Sequence, residues 1–240
     1  VTKVTRTSDD TVKVVFGSGT NNTLTVNMDR SDTPDTAIAY SVGGKDHLAK
    51  IGRSDATANT FTYDSTVDYY QGGTASDTVS VSGEDDAEIW LDRSKGVTYT
   101  SIENVNASTS TGNVTLAGGA KSEVLTAGSG DASLWGGTAG NDTLVGGAAS
   151  NTYFFGKGNG SDVIDNTTGS SDASDRVMLY DVALSDVKSY AATSTYAMVV
   201  ELNDGSKLSF TTSGLKDGTT FQLTDGSWKY STTDGTWTQA

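Results

Sequence analysis

The chain has no cysteine, one proline and one histidine among 240 residues. Without cysteine there is no disulfide framework, and with His47 as the sole histidine a zinc site built from His and Cys is excluded. A Ser-His-Asp triad would have to use His47, yet no G-x-S-x-G elbow accompanies it. His47 instead sits in the alternating stretch KDHLAKI, where a strand-face residue is expected. No G-x-x-x-x-G-K-[ST] phosphate loop is present. Basic residues are scarce, 16 against 30 acidic ones, for a formal net charge of −14. That balance argues against nucleic acid and anionic membrane as partners, and suits metal ions or plain solubility. No apolar run approaches the roughly 18 to 20 residues of a membrane span, so no membrane insertion is expected. Val1 opens the chain without a charged-then-apolar leader, and the expectation is a piece of a longer polypeptide or a processed one.

What the chain has in quantity is glycine, 28 residues of it. Much of it falls in a repeat of about nine residues, clearest in GGTAGNDTLVGGAASNTYF from Gly136 to Phe154. Leu116, Leu125, Leu134, Leu144 and Tyr153 are apolar anchors at near-constant spacing, separated by Gly-rich polar turns. A weaker copy, GGTASDTVS from Gly72 to Ser80, aligns with GGAASNTYF from Gly146 to Phe154. Short apolar steps divided by glycine corners are the pattern of a solenoid that stacks strands and turns.

These residues resemble the hemolysin-type calcium-binding repeats of RTX proteins, whose nonapeptide reads G-G-x-G-x-D-x-U-x with U a large apolar residue. YFFGKGNGSDVID from Tyr153 and DRVMLYDV from Asp175 look like the end segment that follows such repeats in bacterial secreted and surface proteins. The resemblance runs from Gly118 to about Phe210 and more weakly from Gly72 to Ala117. It implies two half-turns per coil, with calcium between same-side turns, held by carbonyls and the aspartate. Glu123, Asp142 and Asp162 would then share one side, and Ala132 and Asn151 the other, with Asp131 out of register beside Ala132. Only the first side keeps its charge, so the metal residues implied are Gly140, Asp142, Asp162, Glu123 and Asp165, with Asp142 and Asp162 at the centre. Calcium wants six to eight oxygens including carboxylates. The opposing possibility is a solenoid that has lost most of its calcium and runs on side-chain ladders and a Leu/Val core.

Outside the repeat the period becomes two. Val12 to Phe16 and Leu24 to Met28 alternate around GSGTNN, and Ile38 to Val42 and the stretch through Ile51 alternate around Gly43-Gly44, predicting two hairpins. Asp29 to Asp35 holds the proline and reads as a loop. Near the C-terminus Asn203-Asp204-Gly205 and Asp225-Gly226 are hairpin turns, and residues 183 to 190 allow a helical turn or two. The fold class expected is all-β: a parallel β-roll or β-helix solenoid over residues 71–165, an antiparallel β region over 1–70, and a C-terminal β cap over 166–240.

The function expected is a non-enzymatic extracellular module of a larger bacterial surface or secreted protein, S-layer-like or adhesive, whose folding calcium assists. Its partners would be calcium and a cell-surface glycan or further copies of the same protein. The alternative is a polysaccharide-acting enzyme or its carbohydrate-binding accessory module. Paired acids for such chemistry can come from any two coils, and Glu84, Asp85, Asp86 and Glu88 beside Trp90 and Asp92 are the candidate group; an acidic turn leading into a strand explains them more simply. Tyr69, Tyr70, Trp228, Tyr230 and Trp237 are candidate sugar-stacking aromatics, although hairpin aromatics more often pack in cross-strand pairs.

Overall fold

The computed structural model describes residues 37–42, 44–52, 56–92, 96–166 and 175–240, and the backbone of three N-terminal strands at 3–8, 11–15 and 23–27. The first strands are β1 (Lys3–Ser8), β2 (Thr11–Val15), β3 (Thr23–Asn27), β4 (Ala37–Val42), β5 (Lys45–Ile51), β6 (Thr60–Thr62), β7 (Tyr69–Gln71) and β8 (Thr78–Gly83). Next come β9 (Ala87–Trp90), β10 (Thr98–Thr100), β11 (Asn104–Ser110), β12 (Val114–Ala117), β13 (Val124–Thr126), β14 (Ala132–Trp135), β15 (Thr143–Val145), β16 (Asn151–Phe155) and β17 (Ser161–Asp165). The last are β18 (Arg176–Leu179), β19 (Val187–Ala191), β20 (Met198–Leu202), β21 (Lys207–Phe210), β22 (Thr220–Leu223), β23 (Gly226–Tyr230) and β24 (Trp237–Gln239). Among the described residues the one helical element is a 3-10 turn, Leu184–Asp186, so the chain is nearly all β, as expected.

Contacts divide the chain into two compact units: residues 1–80 with 93–104, and 81–92 with 105–240. In the first unit β1, β2 and β3 form an antiparallel meander. Strands β4 and β5 pair as the hairpin that the alternation around Gly43-Gly44 predicts. The parallel pattern begins here, since β5 pairs with β7, β7 with β10, and β6 with β8, all parallel. Ile51, Phe61, Val67 and Tyr70 are buried at its centre, with Tyr70 stacked on Tyr99 at 5.2 Å and edge-on to Phe61 at 6.0 Å. The loop expected over Asp29 to Asp35 lies outside the described residues.

The second unit contains the coil. One sheet runs β9-β12-β14-β16-β18-β22 in parallel, followed by antiparallel β23 and β24. The facing sheet runs β13-β15-β17-β21 in parallel, followed by antiparallel β20 and β19. Each nine-residue step crosses from one sheet to the other, so the anchors alternate: Leu116, Leu134, Tyr153, Val177 and Phe221 belong to the first sheet, Leu125, Leu144, Ile164 and Phe210 to the second. All nine are essentially inaccessible to solvent and form a core between the sheets. Beyond the coil, residues 183 to 190 form the short 3-10 turn and then β19, not a longer helix.

The corners explain the glycines. A Cβ on Gly137 would overlap the Gly119 carbonyl, one on Gly147 the Gly128 carbonyl, and one on Gly160 the Gly140 carbonyl. Successive coils therefore touch backbone to backbone, and the contact leaves no space for a side chain. Gly205, at φ +94 in the β20–β21 turn, faces open space and needs glycine only for its backbone angle. Gly147→Ala is expected to destabilise the protein by about 3 kcal/mol, the upper end for overpacking. Gly205→Ala should cost about 1–2 kcal/mol, the price of a left-handed angle alone. Urea unfolding of the two variants measures the difference.

Candidate metal centre

On the Glu123 side of the coil the strands open on the polar pairs Ser122-Glu123, Asn141-Asp142 and Ser161-Asp162, and both members of each pair are used. The second member is buried. The backbone N–H of Glu123 donates to Asp142 Oδ1 at 2.8 Å, and that of Asp142 donates to Asp162 Oδ1 at 3.0 Å. The first member repeats this outside: Asn141 N–H donates to Ser122 Oγ at 3.1 Å and Ser161 N–H to Asn141 Oδ1 at 3.2 Å. Side chains accept these corner N–H groups because the strand ladder does not reach them. Glu123, Asp142 and Asp162 thus share one side of the coil, as the repeat implies, Glu123 and Asp142 immediately before their strands and Asp162 as the second residue of β17.

Each row of this kind is neutralised differently. In the first unit Asp77 is saturated: Oδ1 accepts from Asn59 N–H and Asn59 Nδ2, both at 2.6 Å, and Oδ2 from Gly73 N–H at 2.6 Å. On the opposite side of the second unit Ala132 and Asn151 stand in register, with Asp175 one strand further. Asp175 Oδ1 accepts from Asn151 N–H at 2.9 Å and Asn151 Nδ2 at 3.0 Å. Its Oδ2 accepts from Asn166 Nδ2 and faces Lys216 Nζ at 3.8 Å. An ammonium group and two amides therefore compensate the buried carboxylate there.

The Asp142 and Asp162 pair has no such partner. Both are 1 % exposed, and the Oδ2 atom of each is buried without a hydrogen bond. Both atoms converge on Gly136: the place a Cβ would take there is under 3.0 Å from Asp142 Oδ2 and Asp162 Oδ2 alike. Burial pushes both carboxyls well above the ordinary carboxylate range. At Asp142 the Glu123 N–H opposes the rise and the Asp162 and Glu123 carboxylates add to it. At Asp162 the backbone and side chain of Asp142 oppose it, and Glu123 again adds. Two free carboxylate oxygens facing one point need a proton or a cation to balance them. Their donor chemistry, hard carboxylate oxygen, fits calcium. Among the described residues no three His, Asp or Glu side chains converge on one point, so carbonyls and water would complete the shell.

The other expected metal residues divide. Glu123 is 3 % exposed and joins the row, with Oε2 accepting from Gly119 N–H at 3.3 Å. Gly140 sits at φ +107, and the space for its Cβ is filled by the Lys121 carbonyl; its own carbonyl accepts from Ser161 N–H at 3.2 Å. Asp165 is not brought to the pair. It lies at the other end of β17, where Oδ1 accepts from Thr211 Oγ1 at 3.0 Å and Ser213 Oγ at 2.9 Å. Asp131 belongs to the outer ladder, accepting from Ser150 N–H at 3.2 Å. In the acidic turn, Asp86 Oδ1 accepts from Asn113 N–H at 2.8 Å and Glu88 Oε1 from Trp90 Nε1 at 2.7 Å. Tyr70 is fully buried and offers no ring for stacking on sugar, while Trp237 packs on Phe221 at 4.8 Å and on Tyr230 at 5.0 Å.

No local pattern signals that both free oxygens face Gly136, nor that Lys216 stands opposite Asp175. The Asp77 row was detectable, because the alignment of Gly72–Ser80 with Gly146–Phe154 already sets Asp77 at the Asn151 position. The chain matches no protein-family model and no curated protein.

With both carboxyls raised, the metal-free folded state keeps protons that the unfolded chain releases above pH about 4. Stability should therefore fall as pH rises from about 5 to about 8. Asp162→Asn, which cannot ionise, should flatten that fall and make the metal-free protein more stable than the parent at pH 8. Thermal melts in chelator across the pH series test both.

Proposed function

We propose that the chain is a non-enzymatic β-solenoid module of a larger extracellular bacterial protein, of the RTX-like kind, whose coil is set by calcium. The observation that carries this reading is the pair of buried oxygens without a hydrogen bond on Asp142 and Asp162, where the buried carboxylates of Asp77 and Asp175 each have partners within the chain. Asp142 and Asp162 hold the ion, with backbone carbonyls of the adjoining glycine corners completing the shell. When bound, calcium supplies positive charge that replaces protons on the two carboxyls. Because the two aspartates come from successive coils, the ion joins those coils only when they are stacked. Binding to the folded state alone adds stability that grows with free calcium. Extracellular sites typically hold calcium with a Kd of about 10⁻⁴ to 10⁻³ M, so the coil stays loose where calcium is scarce and sets where it is abundant. The net charge of −14 suits such a setting. An S-layer-like or adhesive role follows from a module that is mostly scaffold, with its buried acids engaged in structural rows.

At a calcium concentration about 100 times the Kd, the added stability is about 2.7 kcal/mol, or about 5–10 °C in Tm at about 2–4 °C per kcal/mol. The double variant Asp142→Asn, Asp162→Asn should lose this gain, whereas Asp77→Asn should keep it. Differential scanning calorimetry in chelator and in calcium decides: no gain in the parent chain, or an undiminished gain in the double variant, rejects the proposal.

A further inference from the structure

The Asp175 row gathers three side chains whose chemistry goes beyond compensating a charge. Asn166 follows β17, Asp175 precedes β18, and Lys216 stands in the turn between β21 and β22. One oxygen meets both of the others: Asp175 Oδ2 accepts from Asn166 Nδ2 and lies 3.8 Å from Lys216 Nζ. Asn166 is 2 % exposed, and the side chains of Asp175 and Lys216 are 3 % and 20 % exposed. An amine and a carboxamide are thus brought to the same carboxyl group, largely away from solvent.

Compensation of Asp175 accounts for Lys216 but not for the state of the amide. Asn166 Oδ1 is buried without a hydrogen bond, and so is the Tyr153 hydroxyl. An acceptor without a donor and a donor without an acceptor share one corner, because the place a Cβ would take on Gly146 is within 3.0 Å of both atoms. Burial, with the carboxylates of Asp175 and Asp165, raises the Tyr153 pKa, so the phenol keeps the proton it can donate. A hydrogen bond from Tyr153 to Oδ1 draws electron density from Asn166 Cγ, as donors aimed at a developing oxyanion do. Asn151, the other amide at Asp175, is fully engaged: Nδ2 donates to the Gly147 and Ala149 carbonyls and to Asp175 Oδ1, and Oδ1 accepts from Gly147 N–H. Asn166 is the amide left open to attack.

We propose that Lys216 and Asn166 form an intramolecular amide bond, with Asp175 as the proton carrier. Lys216 passes one ammonium proton to Asp175 Oδ2, leaving a neutral amine and a neutral acid, the forms that burial favours. The Nζ lone pair attacks Asn166 Cγ, since an amine freed of its proton is the nucleophilic form of lysine, and the oxygen of the tetrahedral adduct takes the Tyr153 hydrogen bond. Asp175 then gives its proton to Nδ2 and receives one from Nζ. The Cγ–Nδ2 bond breaks, the carbonyl re-forms, and ammonia departs. One C–N bond has replaced another, Asp175 ends protonated, and no oxidant or reductant takes part. The bond ties the turn after β21 to the end of β17, a covalent cross-link in a chain that has no cysteine. None of these residues belongs to the Asp142 and Asp162 row, and the readout is a mass, so a failure here is distinct from a failure of the calcium reading.

Intact mass spectrometry of the full chain, folded in calcium and then denatured, should give the sequence mass less one ammonia. Tryptic digestion should leave the bond after Lys216 uncut and yield a branched peptide containing both Lys216 and Asn166. Lys216→Arg, which keeps a positive charge opposite Asp175 but supplies no amine, should show its full sequence mass, as should Asn166→Ala. In Asp175→Asn, with folding confirmed by circular dichroism, the branched peptide sampled soon after refolding should fall at least tenfold. The full sequence mass in the parent chain, an ammonia loss without the branched peptide, a loss that survives in Lys216→Arg, or a smaller fall in folded Asp175→Asn overturns the proposal.

Discussion

The structure of the coil depends on how one backbone N–H is satisfied. At the start of each strand the chain has just rounded a glycine corner, and the N–H there lies beyond the reach of the strand ladder. The side chain of the equivalent residue in the following coil accepts it, from Asp142 to Glu123 and from Asp162 to Asp142 on one side, and from Asp175 to Asn151 on the other. A short acceptor side chain is thereby used at these positions, whereas the N–H groups of Val114 and Ala132 donate to the backbone carbonyls of Asp131 and Ser150. Because the strands sit in register, those acceptors stack into a row. A row of carboxylates closed off from solvent then requires positive charge or hydrogen-bond donors, and the choice of compensating group decides what each side of the coil can do.

The three rows illustrate that choice within one chain. Asp77 is satisfied by the Asn59 amide and by the backbone N–H groups of Asn59 and Gly73. Asp175 has Asn151, Asn166 and the Lys216 ammonium. In both, the carboxylate itself is compensated by groups of the chain. The Asp142 and Asp162 row leaves two oxygens unclaimed, which makes its stability a function of solution conditions. Removing a charge and removing its partner have opposite consequences in these settings, because a lone buried carboxylate is far more costly than a compensated one.

The periodic part of this was legible in the sequence and the interlocking part was not. Leu116, Leu125, Leu134 and Leu144 announce the half-coil step, and all four are fully buried. The side assignment of Glu123, Asp142 and Asp162 also follows from counting, because register in a stack of near-equal coils is arithmetic. Asp165 shows where counting stops. It lies three residues after Asp162, but residues three apart in a strand point to opposite faces, and its carboxylate is taken by Thr211 and Ser213 from a distant loop. Lys216 opposite Asp175 is likewise a long-range meeting that no local pattern encodes. The aromatic residues misled for a related reason: Tyr70 occupies an alternating position that could face either way, and packing against Tyr99 and Phe61 put it inside.

The alternation of anchors between the two sheets has a consequence for how such a chain can vary in length. Inserting one half-turn would hand every later residue to the opposite sheet, setting the acids of one side against the amides and lysine of the other. Inserting a whole coil preserves every pairing. Length in this architecture is therefore quantised, and parity is conserved along the stack like the handedness of a screw. A lineage built on it can grow or shrink in units of two repeats, and an odd change scrambles both faces at once.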